Sequence, residues 1–235
     1  NKDVEISHFI GKDNIIFHAY IWPCMAIGTN FICPPTELPA NQFVNFKGKQ
    51  FSKSSGEFVD TEKAMEIFGT DSLRFYLCSI IPENSDSSFS WEGLAAMNEE
   101  FGNKFGNFVH RTLTFLVKNW ESGLSAQSFS AISNHLQLET IRSYHQKIIS
   151  AVDHFQLTRA HAELILFAQA ANEFFHSEQP WKKIKTDRNG TEQTIAMSVV
   201  YILSMGVLLK PFVPKLSAKI LDYFKGYVTD QSVAS

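Results

Sequence analysis

The feature that most constrains this chain is a change of pattern near Ser90–Gly93. Downstream of Trp91, apolar residues recur at spacings of three and four, with hardly a strand-like run. Leu94, Met97, Phe101, Phe105 and Phe108 make one helical face, and Ile141, Tyr144, Ile148 and Val152 a second. Leu164, Phe167, Ala171 and Phe174 make a third. Stripes of this period need other helices to bury them, so the second half is predicted to be an all-α bundle. A fourth helix is expected over about 191–210, ending before Pro211, and a shorter fifth after Pro214. The loops "ESGLSAQS" and "KTDRNG" separate them.

Upstream of the change, short strands alternate with helices, which argues for an α/β layer. Val4, Ile6, His8 and Ile10 alternate as in a strand ending at Gly11. Asp13 is positioned to cap a helix running to about Gly28, which Pro23 should kink or end. "PPTELPAN" reads as a proline-rich loop and "QFVNF" as a strand. Asp60 or Thr61 is expected to cap a helix stopped by Gly69, and Asp71 a second one ended by Pro82. The domains are therefore drawn as 1–91 and 92–235, with no internal repeat.

Composition narrows the function classes. With 44% hydrophobic residues in 235, a full core can form. A net charge of −3 excludes a polyanion binder along the whole chain, so any nucleic-acid contact must rest on local patches. The three cysteines, Cys24, Cys33 and Cys78, form no C-x-x-C pair and suggest neither a zinc knuckle nor a disulfide framework. Free thiols fit a reducing, cytoplasmic setting. The apolar stretch 196–209 is shorter than the roughly 20 residues of a spanning helix, and it reads as a buried core helix, with no membrane partner expected. The start, "NKDVEISHFIGKDN", carries neither signal peptide nor initiator Met and is expected to lie inside a larger protein.

Three constellations carry chemistry. "KGKQFSKSSG" places Lys47, Lys49 and Lys53 among serines and glycines between two aromatic-rich runs. It is either a solvated hairpin or a phosphate clamp, although no Walker A motif is present. "GKDNIIFHAYIWP" sits where a strand hands over to a helix, the place where α/β sheets bind ligands. There Gly11 permits close approach, Asp13 can accept from ribose hydroxyls, and His18 lies in an aromatic setting. Asn103, Asn107 and Arg111 form a polar stripe at i, i+4, i+8, either a solvated face or a reading surface. Gly102 and Gly106 beside it are expected to let helices pack closely.

Taken together, "GKDNIIFHAYIWPCMAIGTNF", "GKQFSKSSG", "DSLRFYL", "FGNKFGNFVHR" and "EQPWKKIK" resemble the methionyl-tRNA synthetase family of class I aminoacyl-tRNA synthetases, in the family's order and over most of the chain. "FSKS", "PENSDSSFSW" and "PWKKIK" look more like its eukaryotic cytosolic branch. The resemblance implies the second part of a Rossmann-like catalytic domain followed by a helical anticodon-binding domain, mostly helical overall. It implies ligation of methionine to tRNA through a methionyl-adenylate, with ATP as substrate and Mg²⁺ expected in the intact enzyme. No zinc site and no DNA partner are expected.

Residue by residue, positions 50–54 match the family's KMSKS loop. Lys53, its second lysine, is implied as the catalytic residue that stabilises charge on the triphosphate. Ser52, Ser54, Gly11 and Asp13 are implied in ATP binding. Gln50 stands where the motif has its first lysine, and Lys49, one place earlier, is the candidate to supply that charge. Asn14 and His18 match the methionine pocket. Asn107 and Arg111 match anticodon readers, with Asn103 on the same stripe. Trp181 matches a base-stacking tryptophan, with Lys182, Lys183 and Lys185 a patch for backbone phosphate. No stretch like the family's HIGH motif occurs, so the chain alone is expected to be inactive and residues 1–90 to be less ordered or unusually packed. Two alternatives stand beside this: a non-catalytic tRNA- or protein-binding helical module, and a sibling synthetase for another apolar amino acid.

Overall fold

The computed structural model describes residues 4–29, 33–46, 49–50 and 59–224. They fall into two compact units, one within Asn1–Glu62 and Ile80–Trp91, the other within Lys63–Ser79 and Glu92–Ser235.

In the first unit, β1 (Ile10–Gly11) pairs in parallel with β2 (Ala40–Asn41). The expected strand from Val4 is looser than a continuous ladder. A single bridge joins Ser7 to Glu37, and the amides of His8 and Ile10 donate to the carbonyls of Glu37 and Pro39 at 3.0 and 3.1 Å. "PPTELPAN" is therefore a pairing edge rather than a free loop. Proline cannot donate, but its carbonyl accepts, which is why Pro39 is tolerated there. β3 (Val44–Phe46) pairs antiparallel with β4 (Lys49–Gln50) and parallel with β5 (Ser87–Phe89). Phe46 and Phe89 sit opposite each other in register, both buried, with Trp91 edge-on to Phe89.

After β1 the chain makes a tight 3₁₀ turn, Lys12–Asn14, then a widened turn, Phe17–Ile21, before α1 (Trp22–Thr29). Asp13 does not cap this run. Gly11 occupies the cap in extended conformation with no side-chain bond, and Asp13 lies inside the first turn. Pro23 does not end the helix either. The Trp22 amide reaches back five residues to Phe17, and the looser turn makes room for a ring that would collide with a normal helical carbonyl.

The second unit begins with α2 (Thr61–Phe68) and α3 (Thr70–Ser79). Gly69, at φ +81°, ends α2. Asp71 does not cap α3, which it enters as the second residue. Its carboxylate instead accepts from the amides of Leu216 (2.8 Å) and Lys215 (3.5 Å) and caps α11 (Pro214–Phe224). Arg74 donates to the carbonyls of Pro211 (2.7 Å) and Phe212 (3.4 Å), and Phe75 is buried among the helices. These ties place residues 63–79 with the bundle, where sequence order had put them in the first domain.

The bundle proper is α4 (Trp91–Phe101), a widened turn over Gly102–Gly106, α5 (Asn107–Asn119), α6 (Ala126–Ala131), α7 (Leu136–Asp153), α8 (Leu157–Glu178), the short α9 (Pro180–Lys183), α10 (Arg188–Leu208) and α11. The predicted long first helix is thus interrupted once. Gly102 and Gly106 do not serve close packing, since a Cβ on either would meet nothing within 4 Å. α10 has the length and hydropathy of a membrane span, but Ile195, Met197, Tyr201, Ile202 and Met205 are all buried inside the unit. Tyr201 packs on Phe108, Phe167 and Phe174 and donates its hydroxyl to Gln137 at 2.5 Å. Burial pushes its ionisation well above the ordinary tyrosine range.

His161 on α8 is 5% exposed, 4.3 Å from the Phe75 ring, with Nε2 unpaired among the described residues. Burial lowers its pKa to about 4, with Glu100 pulling the other way. The unfolded chain binds a proton near pH 6.5 that the folded chain refuses until about 4. Stability therefore falls as pH drops through that window, by up to about 3 kcal/mol. Urea unfolding at pH 7 and pH 4.5 should show this loss, and His161→Leu should reduce it.

Candidate functional site

The first group of candidates lies at the carboxyl end of β1. Gly11 holds φ −79°, ψ 154°, which any residue can adopt, so its need for glycine is spatial. A Cβ there would stand 2.6 Å from the Asp13 carboxylate, which folds back over the turn. Asp13 is exposed and accepts from the Asn14 amide at 3.3 Å, so the two polar candidates are paired with each other. His18, in the widened turn, faces His8, with their Nδ1 atoms 3.0 Å apart and the rings edge to face. One of those nitrogens carries the shared proton. His8 also stands edge-on to Trp22, whose buried Nε1 has no partner among the described residues. The result is a polarizable aromatic wall with the buried Trp22 Nε1 as an unspent donor, suited to an apolar, sulfur-bearing side chain with one weak polar contact.

Lys49 is exposed on β4, opposite Phe46. Ser52, Lys53 and Ser54 lie outside the described residues, as does Lys47. Among the described residues no group of three His, Cys, Asp or Glu side chains could hold a metal.

The second group lies within the helical unit, where the structure brings separate segments together. Asn107 donates to Asn103 at 3.4 Å, along the junction of the widened turn with α5. That turn is held from behind. Asn172 on α8 donates at 2.8 Å both to the Lys104 carbonyl and to the Ala168 carbonyl of its own helix. Lys104 pairs with Glu100 at 2.9 Å. One turn beyond Asn107, the Arg111 guanidinium lies 5.1 Å from the Phe175 ring and 5.7 Å from the Trp181 ring. Trp181 is 39% exposed and also borders His176. Cations over aromatic faces are held by the ring quadrupole, so Arg111 and Trp181 orient each other.

Trp181 owes its place to the residues before it. Gln179 adopts left-handed φ 46°, ψ 52°, ending α8, and buried Pro180 opens α9 at once. This sharp reversal projects Trp181 beside α5. The basic patch is smaller than sequence suggested. Lys183 is engaged by Glu178 at 2.8 Å, whereas Lys182 and Lys185 are exposed. An exposed indole, a guanidinium and a pair of amides on one face can stack a planar ring and bond its edges.

Comparison with known proteins gives this arrangement its context. Residues 1–113 match the family described as tRNA synthetases class I (M), and residues 124–233 the anticodon binding domain of methionyl tRNA ligase. A methionine–tRNA ligase from Thermoplasma volcanium is 36% identical across 94% of this chain, and one from Pyrococcus horikoshii 34% across 94%. The chain belongs to the methionyl-tRNA synthetase family. A solved Mycobacterium tuberculosis methionyl-tRNA synthetase in complex with methionyl-adenylate superposes with TM-score 0.76 at 28% identity, over 92% of this chain and 43% of that one. The chain spans 40% and 32% of the length of the two ligases named above.

Within a methionyl-tRNA synthetase scaffold, several residues here were not singled out from sequence. His8 read as a strand residue, although its parity with Ile6 and Ile10 placed it on their face. Asn172 sat inside an apolar helical stripe, where an amide facing a neighbouring carbonyl leaves no local signal. Gln179 was read only as part of a motif, since its positive φ has no marker in a glutamine codon. Because the left-handed region is costly for a β-branched residue, Gln179→Val should lower stability by about 1–2 kcal/mol. Gln179→Gly should leave it unchanged or slightly raised, as thermal unfolding of the pair will show.

Proposed function

We propose that the protein activates methionine with ATP to a methionyl-adenylate and transfers the methionyl group to its tRNA, in the cytoplasm. The observation that carries this reading is the convergence of Asn107 and Arg111 on α5 with Trp181 on the distant α9, onto one partly exposed face. The aromatic wall of His8, His18 and Trp22 beside the Gly11–Asp13 turn supports the activation half, and the adenylate-bound relative points the same way. Free thiols at Cys24, Cys33 and Cys78 accord with a reducing compartment.

In this reading the methionine carboxylate attacks the α-phosphorus of ATP, and pyrophosphate leaves. Asp13 accepts from the ribose hydroxyls and Gly11 gives the adenosine access to the backbone. His18 and Asn14 border the methionine side chain. Lys53, with Ser52, Ser54 and Lys49, steadies the negative charge that builds on the phosphates. Mg²⁺ accompanies ATP as part of the substrate, and no step is assigned to a protein-bound ion. In the transfer half, Trp181 stacks an anticodon base while Asn103, Asn107 and Arg111 bond base edges. Lys182 and Lys185 face the strand's phosphates.

The two halves separate cleanly in experiment. In the full-length protein, Lys53→Ala should slow methionine-dependent pyrophosphate exchange by about 3 kcal/mol of barrier. Exchange at the wild-type rate would remove Lys53 from the mechanism. Trp181→Ala should weaken tRNA charging by about 1–3 kcal/mol while leaving pyrophosphate exchange intact. Unchanged charging kinetics would refute the stacking role.

A further inference from the structure

Resting on the functional reading above, we infer that Asp86 is a positioning residue for the nucleotide, acting through Lys12. Asp86 immediately precedes β5, and one oxygen of its carboxylate does two things at once. Oδ1 accepts from the Lys12 ammonium at 2.8 Å and from the Phe43 amide at 3.0 Å. Lys12 lies between Gly11 and Asp13 in the turn that follows β1, and Phe43 immediately precedes β3. The Lys12 ammonium also rests 4.4 Å from the centre of the Phe43 ring.

No backbone ladder joins the β1–β2 sheet to the β4–β3–β5 sheet among the described residues. The Lys12–Asp86–Phe43 junction therefore ties the turn that presents Asp13 to the N-terminal ends of β3 and β5 in the second sheet. A lysine in solvent samples many rotamers. This one is restrained by an ion pair and a ring face together, and it takes the short Gly11–Asp13 backbone with it. The Lys12 bond and the Phe43 amide hold the Asp86 carboxyl below the usual carboxylate range, as expected for a carboxylate charged in its working state.

Both partners are partly exposed, at 33% and 43%, so the pair adds little to folding stability. Its contribution is orientation. A carboxylate misplaced by a fraction of an ångström binds a ribose poorly even though the fold is intact.

The test uses the full-length protein and methionine-dependent pyrophosphate exchange, with ATP and methionine varied separately. Asp86→Asn keeps an acceptor for the Phe43 amide and removes the charge that holds Lys12. It should raise the KM for ATP about tenfold, with kcat, the methionine KM, the melting temperature and tRNA affinity little changed. Lys12→Met should do the same, Lys12→Arg should restore most of the loss, and the Lys12→Met/Asp86→Asn double variant should be no worse than either single. A wild-type ATP KM in Asp86→Asn would overturn the inference. So would a KM rise accompanied by a clear fall in melting temperature. A wild-type protein without methionine-dependent exchange would overturn the functional reading and this inference with it.

Discussion

The helical unit is organised by one constraint: α10 is apolar on every side and must be enclosed. Ile195, Ala196, Met197 and Met205 point in different directions round the helix, and all are buried. A helix with a single apolar stripe can lie on a surface, but one apolar all round needs neighbours on all sides. α5, α6, α7, α8, α9 and α11 supply them. The candidate reading face follows from that enclosure. α5 and α8 are both packed against α10, so the outer edge of α5 and the C-terminal end of α8 come together, and Trp181 follows directly after that end. Glu192 on α10 pins the α6 end of the unit by accepting from the Ser125 amide (3.0 Å) and the Ser128 hydroxyl (2.7 Å).

Both candidate sites share a second physical feature. His18 lies in one widened helical turn and Asn103 in another. A turn closed over five residues weakens the backbone ladder and shifts the register of every side chain beyond it, so it persists only where something compensates. At the first turn the compensation is Pro23, whose ring a regular turn would not admit. At the second it is Asn172, which supplies a side-chain donor to the Lys104 carbonyl. Each widening re-aims the polar residues that follow without breaking the helix.

Much of the bundle was legible in the sequence because helical periodicity is a local signal. Leu164, Phe167, Ala171 and Phe174 repeat at the helical period, and all four are buried. What stayed hidden was non-local. Asp71 looks like the cap of the helix beside it, and in space it caps one that begins far along the chain. The same long-range ties carry α3 into the helical unit, which no local pattern could report. Gly102 and Gly106 looked like packing contacts, yet the open space beside them can be seen only once the neighbouring helices are in place. In the first unit the candidates were found by motif, but what restrains them was not: His8, on the segment before β1, faces His18, and Asp86, just before β5, holds Lys12 beside Asp13.

The Arg111–Trp181 contact explains how a partly exposed indole can be kept ready for a planar ligand. A bare aromatic face in water invites collapse onto the nearest apolar surface. Here Phe175 backs the pair and the guanidinium shields the ring while leaving it accessible. Arg111 is always charged and weakly hydrated, so it gives up little solvation in that position. A stacked base can share the ring with a guanidinium, because both are flat and the contact is not directional in the plane. A lysine at position 111 would present a compact, strongly hydrated charge and no plane. The geometry thus selects arginine for a reason that holds before any ligand arrives, with Gln179 and Pro180 setting the angle at which the ring is offered.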